Sequence, residues 1–179
     1  MADINSHLVS RNGLAESEPV DPLIAYVELL FFAYRDFTAE PDAVLAKFDF
    51  GRAHHRVLHF VHRRPGLRVA DLLDILKITK QSLARVLKEL IDQGFIVQRA
   101  GAQDRRERLL FPTAKGSVLA AELAALQIER IRGALAQSGP DAAAVVRRFL
   151  SGMINGADRA RVAEMLSGPA PARKRGHRP

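Results

Sequence analysis

The chain contains no cysteine and no tryptophan among its 179 residues. Without cysteine, disulfide bonds, thiolate metal sites, cysteine nucleophiles and thiol-based redox sensing are all excluded. The chain also lacks an apolar run of transmembrane length, and its first residues, MADINSHLVS, lack the charged-then-apolar pattern of a signal peptide. We therefore expect a cytoplasmic protein with no membrane partner.

Sequence motifs typical of enzymes are missing as well. The chain has no glycine-rich phosphate loop, no GxSxG and no HExxH. Ser82 stands beside lysine, glutamine and arginine residues, not beside a base and an acid. We predict neither a catalytic site nor a cofactor.

Positive charge is abundant and unevenly distributed. Residues 1–51 carry 3 basic and 9 acidic side chains, whereas residues 52–115 carry 14 basic and 6 acidic ones. Residues 116–179 carry 10 basic and 5 acidic side chains. Lysine and arginine gain affinity for a polyanion by releasing its counterions, so the central segment favours a nucleic-acid partner. The alternative is a basic surface that binds nothing.

Helical periodicity begins near Asp21, after residues 1–19, which have no clear period and predict a flexible arm. The pattern predicts a helix over 22–38 and a short helical piece over 41–48. Further helices are predicted over 52–63, 69–77 and 79–93, with Thr79 as the N-cap and Gly94 as the left-handed terminator of the third. Two short strands follow, over 95–99 and 107–111, and Pro112 is expected to stop the second.

Long helices complete the pattern. Thr113 is expected to cap a helix that runs to about Ala136, and Gly139-Pro140 breaks it. A further helix holds Val145 to Met153, and a restart is expected near Gly156. The last segment, GPAPARKRGHRP, has no apolar period and predicts a disordered basic tail, which either adds non-specific phosphate contacts or has no function.

The predicted fold class is mainly α with a small β-hairpin wing. A winged helix-turn-helix lobe over 51–113 lies between N-terminal helices over 20–50 and C-terminal helices over 114–167, with the tail over 168–179. The outer helices exceed what a winged helix needs. A second copy of the chain related by two-fold symmetry is the simplest partner for them. We therefore predict that both outer segments form the interface of a homodimer.

The helix over 79–93 has the properties of a recognition helix. It follows the helix over 69–77 after the short link Lys77-Ile78, which is helix-turn-helix spacing. Arginine and glutamine can pair with base edges, and lysine and serine with phosphates. The face opposite its apolar stripe carries Gln81, Ala84, Arg85 and Lys88, and its exposed N-terminal turn carries Lys80 and Ser82. The alternative is an ordinary solvated face, which the arginine-rich hairpin directly after the helix disfavours.

These segments resemble the MarR family of bacterial winged-helix regulators. The resemblance runs through VLHFVHRRPGLRVADLLDILKITKQSLARVLKELIDQGFIVQR and DRRERLLFPTAKG. Asp104 and Arg106 fill the family's Asp-x-Arg wing signature, and Thr113 and Gly116 fill its closing Thr-x-x-Gly. Pro112 stands where the family usually has leucine, and we expect it to shift the end of the strand without affecting the wing tip.

The resemblance implies roles for the wing residues. Arg106 resembles the arginine that enters the minor groove, and Asp104 its ion-pair partner; an ordinary turn residue is the alternative for Asp104. Arg99 and Arg105 are expected to contact phosphates or support the wing, and Arg108 belongs to the same basic set. The implied function is a homodimeric, nucleoid-associated transcriptional regulator on pseudo-palindromic double-stranded DNA.

The resemblance also implies a small-molecule effector. The family's cavity lies between the dimer helices and the DNA-binding lobe, usually for aromatic or phenolic anions. Tyr34, Arg35, His55 and His59 are the polar candidates that could face it. Phe31 and Tyr34 are equally explained as dimer core.

Four of the six histidines fall within His54–His62, which leaves a further question open. His55, His59 and His62 share one helix face, and histidines four apart can bind one metal ion. The alternatives are a ligand pocket, a pH-sensitive interface, or no special role. A metal- or haem-responsive sensor on the same fold, using His55 and His59, is therefore one rival function. A sequence-neutral architectural DNA binder is the other.

Overall fold

The computed structural model describes residues 21–102 and 104–168. The predicted arm and the tail beyond Gly168 lie outside the described residues. The chain divides into two compact units, Met1–Arg35 and Asp36–Pro179, and each is described by itself. Within the described residues, no helix is both long and apolar enough to cross a membrane.

Helix α1 runs from Ile24 to Ala46 and contains Pro41 in its interior. The sequence predicted two pieces divided before this proline, because proline lacks an N–H and its ring crowds the carbonyl four residues earlier. The structure instead shows one helix, in which Pro41 is buried together with Thr38 and Leu45 on the same side. Burial of this side therefore outweighs the local preference for a break.

The remaining helices agree closely with the predicted ones. Thr79 caps its helix as predicted, since its hydroxyl accepts a hydrogen bond from the Ser82 N–H at 3.1 Å. Gly94 has the predicted positive φ, +75°. The helices are α2 (Arg52–Arg63), α3 (Val69–Leu76), α4 (Lys80–Asp92), α5 (Ala114–Ala136), α6 (Ala142–Met153) and α7 (Gly156–Leu166).

The sheet has one strand more than the sequence predicted. Strands β2 (Ile96–Ala100) and β3 (Arg108–Pro112) form the expected antiparallel hairpin, and β1 (Leu67–Arg68) pairs with the other edge of β3. A strand of two residues is too short to show an alternating pattern, so sequence could not reveal it. Pro112 is the last residue of β3, opposite Ile96, and not a residue beyond the strand.

The hydrophobic core lies where the end of α1, α2, α3, α4, the sheet and the start of α5 meet. Every one of these elements contributes side chains that are almost completely buried, and this shared core fixes α4 and the hairpin relative to each other. Its largest fully buried members are Phe95, Leu45, Leu58, Leu72, Leu83, Leu90, Ile96, Leu110 and Leu123.

A tight junction joins the sheet to α5. The Thr113 hydroxyl donates to the Gly94 carbonyl at 2.7 Å and accepts from the Gly116 N–H at 3.0 Å, while the Thr113 N–H donates to the Phe95 carbonyl. A Cβ atom at Gly116 would lie only 2.0 Å from that Phe95 oxygen. Glycine at 116 is therefore required by the close approach of helix and backbone.

We expect Gly116→Ala to destabilise the protein by roughly 3 kcal/mol, because the backbone of Phe95 must move to admit a methyl group. The measurement is urea unfolding at one protein concentration. Gly133→Ala on the same helix is the matched control, since a Cβ there meets nothing within 4 Å. The control should be neutral or stabilised by up to about 1 kcal/mol; equal effects of the two substitutions would contradict the steric explanation.

Candidate nucleic-acid interface

Helix α4 separates an apolar side from a polar one. Leu83, Val86, Leu87 and Leu90 are buried in the core. The five residues predicted to read DNA are all exposed on the remaining surface: Lys80, Gln81, Ser82, Arg85 and Lys88. The structure thus brings the predicted residues together on one helix surface, open to a large partner.

Several of these side chains have partners in the helix or at its N-cap. The Ser82 hydroxyl accepts a hydrogen bond from the Thr79 hydroxyl at 2.9 Å. Lys88 pairs with Asp92 one turn later, and this hydrogen bond raises the pKa of the lysine above its ordinary value. Arg85 Nη1 lies 3.6 Å from an oxygen of Glu89. Lys88 and Arg85 are therefore held close to the helix surface by acidic side chains of the same helix.

The wing presents the other predicted residues. Arg99, Asp104, Arg105, Arg106 and Arg108 are all exposed. The Arg99 guanidinium lies over the Phe111 ring, 4.9 Å from its centroid, and Arg108 Nη1 donates to the Arg105 carbonyl at 3.1 Å. These two arginines thus contact other residues of the wing. Support of the wing was one of the two roles expected for Arg99.

Asp104 differs from the role that the resemblance implied. Its Oδ1 accepts a hydrogen bond from the backbone N–H of Arg106 at 2.8 Å, and among the described residues it forms no ion pair with Arg106 or another cation. An aspartate bonded to the amide two residues later shapes a turn. Asp104 therefore positions the Arg106 backbone, not its guanidinium.

Two backbone hydrogen bonds connect the described residues of the wing tip. The Gly101 N–H donates to the Glu107 carbonyl and the Glu107 N–H to the Asp104 carbonyl, each at 3.1 Å. A Cβ at Gly101 would lie 2.6 Å from the Asp104 oxygen. The loop is compact enough to require glycine at its first position.

A tie between the wing and α3 was missed by sequence reasoning. Arg68 forms two hydrogen bonds with the Asp71 carboxylate, at 2.6 and 2.8 Å, and a third with Glu107 at 3.3 Å. Pairing with Asp71 raises the pKa of the exposed Arg68 guanidinium. The spacing of Arg68 and Asp71 was a local signal, but Glu107 stands 39 residues away, and only the fold brings it near.

The histidines of α2 lie in different surroundings. His54 and His55 are buried, and burial lowers the pKa of His55 although the carboxylate of Asp42 opposes this shift. Burial also lowers the pKa of His59, with smaller contributions in the same direction from His55, Arg63 and His62. Within the described residues, no group of three or more histidine, aspartate or glutamate side chains could hold a metal ion.

The four candidate effector residues fall in the two compact units. Tyr34 and Arg35 are exposed in the first unit, where Arg35 lies over the Phe32 ring at 5.0 Å. His59 lies in the second unit and lines a cavity of about 290 Å³ between α2, α3 and α7. His55 is not among the residues that line this cavity.

The cavity combines apolar walls with cations. Its apolar residues come from all three helices, and its charged residues are arginines only: the full lining is His59, Phe60, Arg63, Arg64, Ile75, Arg161, Val162, Met165 and Leu166. Arg64 Nη2 is buried without a hydrogen-bond partner in the described structure. Arg161 Nη2 donates to the Asp74 carbonyl near the end of α3, at 2.9 Å.

A helix-turn-helix, a three-stranded sheet with an arginine-rich hairpin and long flanking helices together define a winged-helix protein. Residues 48–107 match the model of the MarR family. The HTH-type transcriptional regulator PetP of Rhodobacter capsulatus is 50% identical over 133 residues, which cover 74% of this chain and 80% of that protein. The chain belongs to the MarR family and is a helix-turn-helix transcriptional regulator, not an enzyme.

A second curated protein matches part of the chain, and solved structures share its fold. An uncharacterized HTH-type transcriptional regulator of Bacillus subtilis, YybA, is 32% identical over 68 residues, which cover 38% of this chain and 45% of that protein. The crystal structure of MarR is similar in fold, with a TM-score of 0.61 at 20% identity over 83% of this chain and 99% of that one. A MepR–DNA complex of S. aureus has a TM-score of 0.55 at 19% identity over 79% of this chain and 96% of that one.

Proposed function

We propose that this regulator acts as a homodimer on pseudo-palindromic double-stranded DNA, with α4 in a major groove and the wing in the adjacent minor groove. The observation that carries the proposal is the joint exposure of the predicted α4 and wing side chains on one lobe with a common core. The family match and the DNA-bound structure of MepR support the same assignment.

The two surfaces suit different features of DNA. Arg85 and Gln81 on α4 can form bidentate hydrogen bonds with base edges, while Lys80 and Lys88 suit phosphates. Arg106 at the wing tip carries an exposed guanidinium on a backbone held by Asp104. A planar cation of this kind matches the negative potential of a narrow minor groove.

The alternative hypothesis, a sequence-neutral architectural DNA binder, makes a different prediction about sequence specificity. Duplexes selected by the full-length protein from a random pool provide the probe. A regulator should bind the selected duplex at least about a thousandfold more tightly than a random duplex at the same salt concentration. Equal affinity would favour the architectural role.

We expect Arg106→Ala to weaken binding of the selected duplex while leaving the fold intact, because the guanidinium is exposed and leaves no buried partner. For Arg85→Ala we expect a loss of about 1–3 kcal/mol and a relaxed preference at one base position. Gel-shift titration on the selected duplex and its single-base variants measures both. Unchanged affinity of Arg106→Ala would refute the wing assignment, and uniform weakening by Arg85→Ala would make it a phosphate contact.

Exposed apolar side chains support the homodimer. In the first unit, α1 exposes Tyr26, Leu29, Phe31, Phe32 and Tyr34. In the second unit, α6 exposes Val145, Val146, Phe149, Leu150 and Met153. Exposed apolar side chains in such numbers mark protein interaction sites, and a second copy of the chain is the partner we propose for each of these two helices.

We expect Phe149→Glu to convert the dimer to monomer, because it places a charge within the apolar face of α6. Ala144→Glu is the matched control: it adds the same charge to the same helix, on the opposite side by helical geometry. Light scattering with size-exclusion chromatography gives the mass. If wild-type protein is already monomeric, or both variants remain dimeric, this face is not the interface.

A small anionic effector is the second part of the proposal, and the cavity beside His59 is its candidate site. The apolar walls suit an aromatic ring, and Arg63 and Arg64 suit a carboxylate, whereas Arg161 is already paired with Asp158 at 2.9 Å. Arg161 also donates a hydrogen bond to the Asp74 carbonyl. An anion that binds Arg161 would therefore weaken this contact with the end of α3. Such a ligand changes DNA affinity only if it binds one spacing of the recognition helices more tightly than the other.

The probe for the effector is 4-hydroxybenzoate, with uncharged 4-hydroxybenzamide as the chemical control. We expect calorimetry to detect binding of the acid but not of the amide, because only the acid supplies a negative charge. Arg64→Gln should weaken this binding by about tenfold or more, a loss within the range for a charged hydrogen bond. Equal binding of both compounds, or no effect of Arg64→Gln, would rule out this cavity as the anion site.

A further inference from the structure

We propose that Glu89 is a positioning residue for DNA reading: held by the buried His54, it orients the guanidinium of Arg85. The inference rests on the proposed function, in which Arg85 contacts a base. The inference adds Glu89 and His54 to the residues that affect DNA binding, although neither is proposed to contact DNA. The relay runs from the start of α2 to the exposed side of α4.

His54 is fixed on three sides. Its side chain is 7% exposed, and its ring stacks on Phe50 with 4.5 Å between centroids and 10° between planes. Its Nδ1 accepts a hydrogen bond from the Gly51 backbone N–H at 3.1 Å. Since an amide N–H can only donate, Nδ1 carries no proton and the ring proton lies on Nε2.

The proton on Nε2 points at Glu89. His54 Nε2 donates to Glu89 Oε2 at 2.5 Å. The carboxylate uses its other oxygen for Arg85, because Arg85 Nη1 lies 3.6 Å from Oε1. One carboxylate therefore connects a buried, fixed ring to an exposed cation, with a separate oxygen for each.

An anchored carboxylate differs from an ordinary surface partner. An exposed arginine samples many rotamers, and it loses this freedom when it binds a base. A carboxylate that cannot follow the arginine restricts those rotamers before DNA arrives. Arg85 itself is 71% exposed, so no packing replaces this restraint.

The neighbouring pair on the same helix provides the contrast. Lys88 and Asp92 have the same spacing of four residues as Arg85 and Glu89. The Asp92 side chain is 56% exposed, and among the described residues its only hydrogen-bond partner is Lys88. Asp92 thus supplies a negative charge near the same surface without a link to α2.

The experiment is a double-mutant cycle on the duplex selected from a random pool and on its single-base variants. Glu89→Ala and Asp92→Ala each remove one negative charge, so both should raise the affinity for a random duplex, in which Arg85 reads no preferred base. Only Glu89→Ala should reduce the base preference at the position that Arg85→Ala relaxes, by about threefold or more. In the Arg85→Ala background, Glu89→Ala should have no further effect on that preference.

His54 is tested by substitution and by rescue. We expect His54→Ala to reduce the same preference, and His54→Gln, which keeps an N–H donor near Glu89, to retain more of it. Thermal unfolding identifies a variant that fails to fold, and for such a variant Glu89→Ala alone decides. A loss of preference spread over all positions would indicate a structural role and overturn the relay.

The two proposals fail in different ways. If wild-type protein shows no preferred duplex, the proposed function fails. If wild-type protein and Arg85→Ala behave as expected but Glu89→Ala keeps full preference or matches Asp92→Ala, the relay alone is wrong. An additive cycle would also contradict the relay, since it shows that Glu89 does not act through Arg85.

Discussion

The approach of α5 to the carbonyl of Phe95 is the contact on which the rest of the structure depends. Thr113 and Gly116 bind the backbone at the point where α4 has ended and β2 begins. Phe95 also packs against Phe48 and Phe50, so this one point connects the end of α4, the sheet and the segment before α2. The exposed residues of α4 and of the wing keep fixed relative positions because both elements pack around Phe95.

Local signals in the sequence were sufficient for most of the fold. The cap at Thr79, the left-handed Gly94 and the apolar stripe of α4 are each set by neighbours within a few residues, and the structure shows them as predicted. Pro41 was not predictable in the same way. Its local preference for a break is overridden by burial, which depends on residues far away in sequence.

The candidate site shows the same division. Helical periodicity predicts that Arg85 and Lys88 are exposed, and its position in a turn predicts the same for Arg106. The structure agrees. Their supports could not be predicted, because Arg68 meets Glu107 and His54 meets Glu89 across 39 and 35 residues. Asp104 was identified as a wing residue, but its partner proved to be a backbone amide, which no pattern of side chains reveals.

The closed loop at the wing tip bears on how such a protein can diverge. Gly101, Asp104 and Glu107 are joined through backbone hydrogen bonds, and a Cβ at Gly101 would lie 2.6 Å from the Asp104 oxygen. The side chains of Arg105 and Arg106 are not needed to close it. Divergence at the tip by substitution of Arg105 or Arg106 therefore leaves these backbone hydrogen bonds in place.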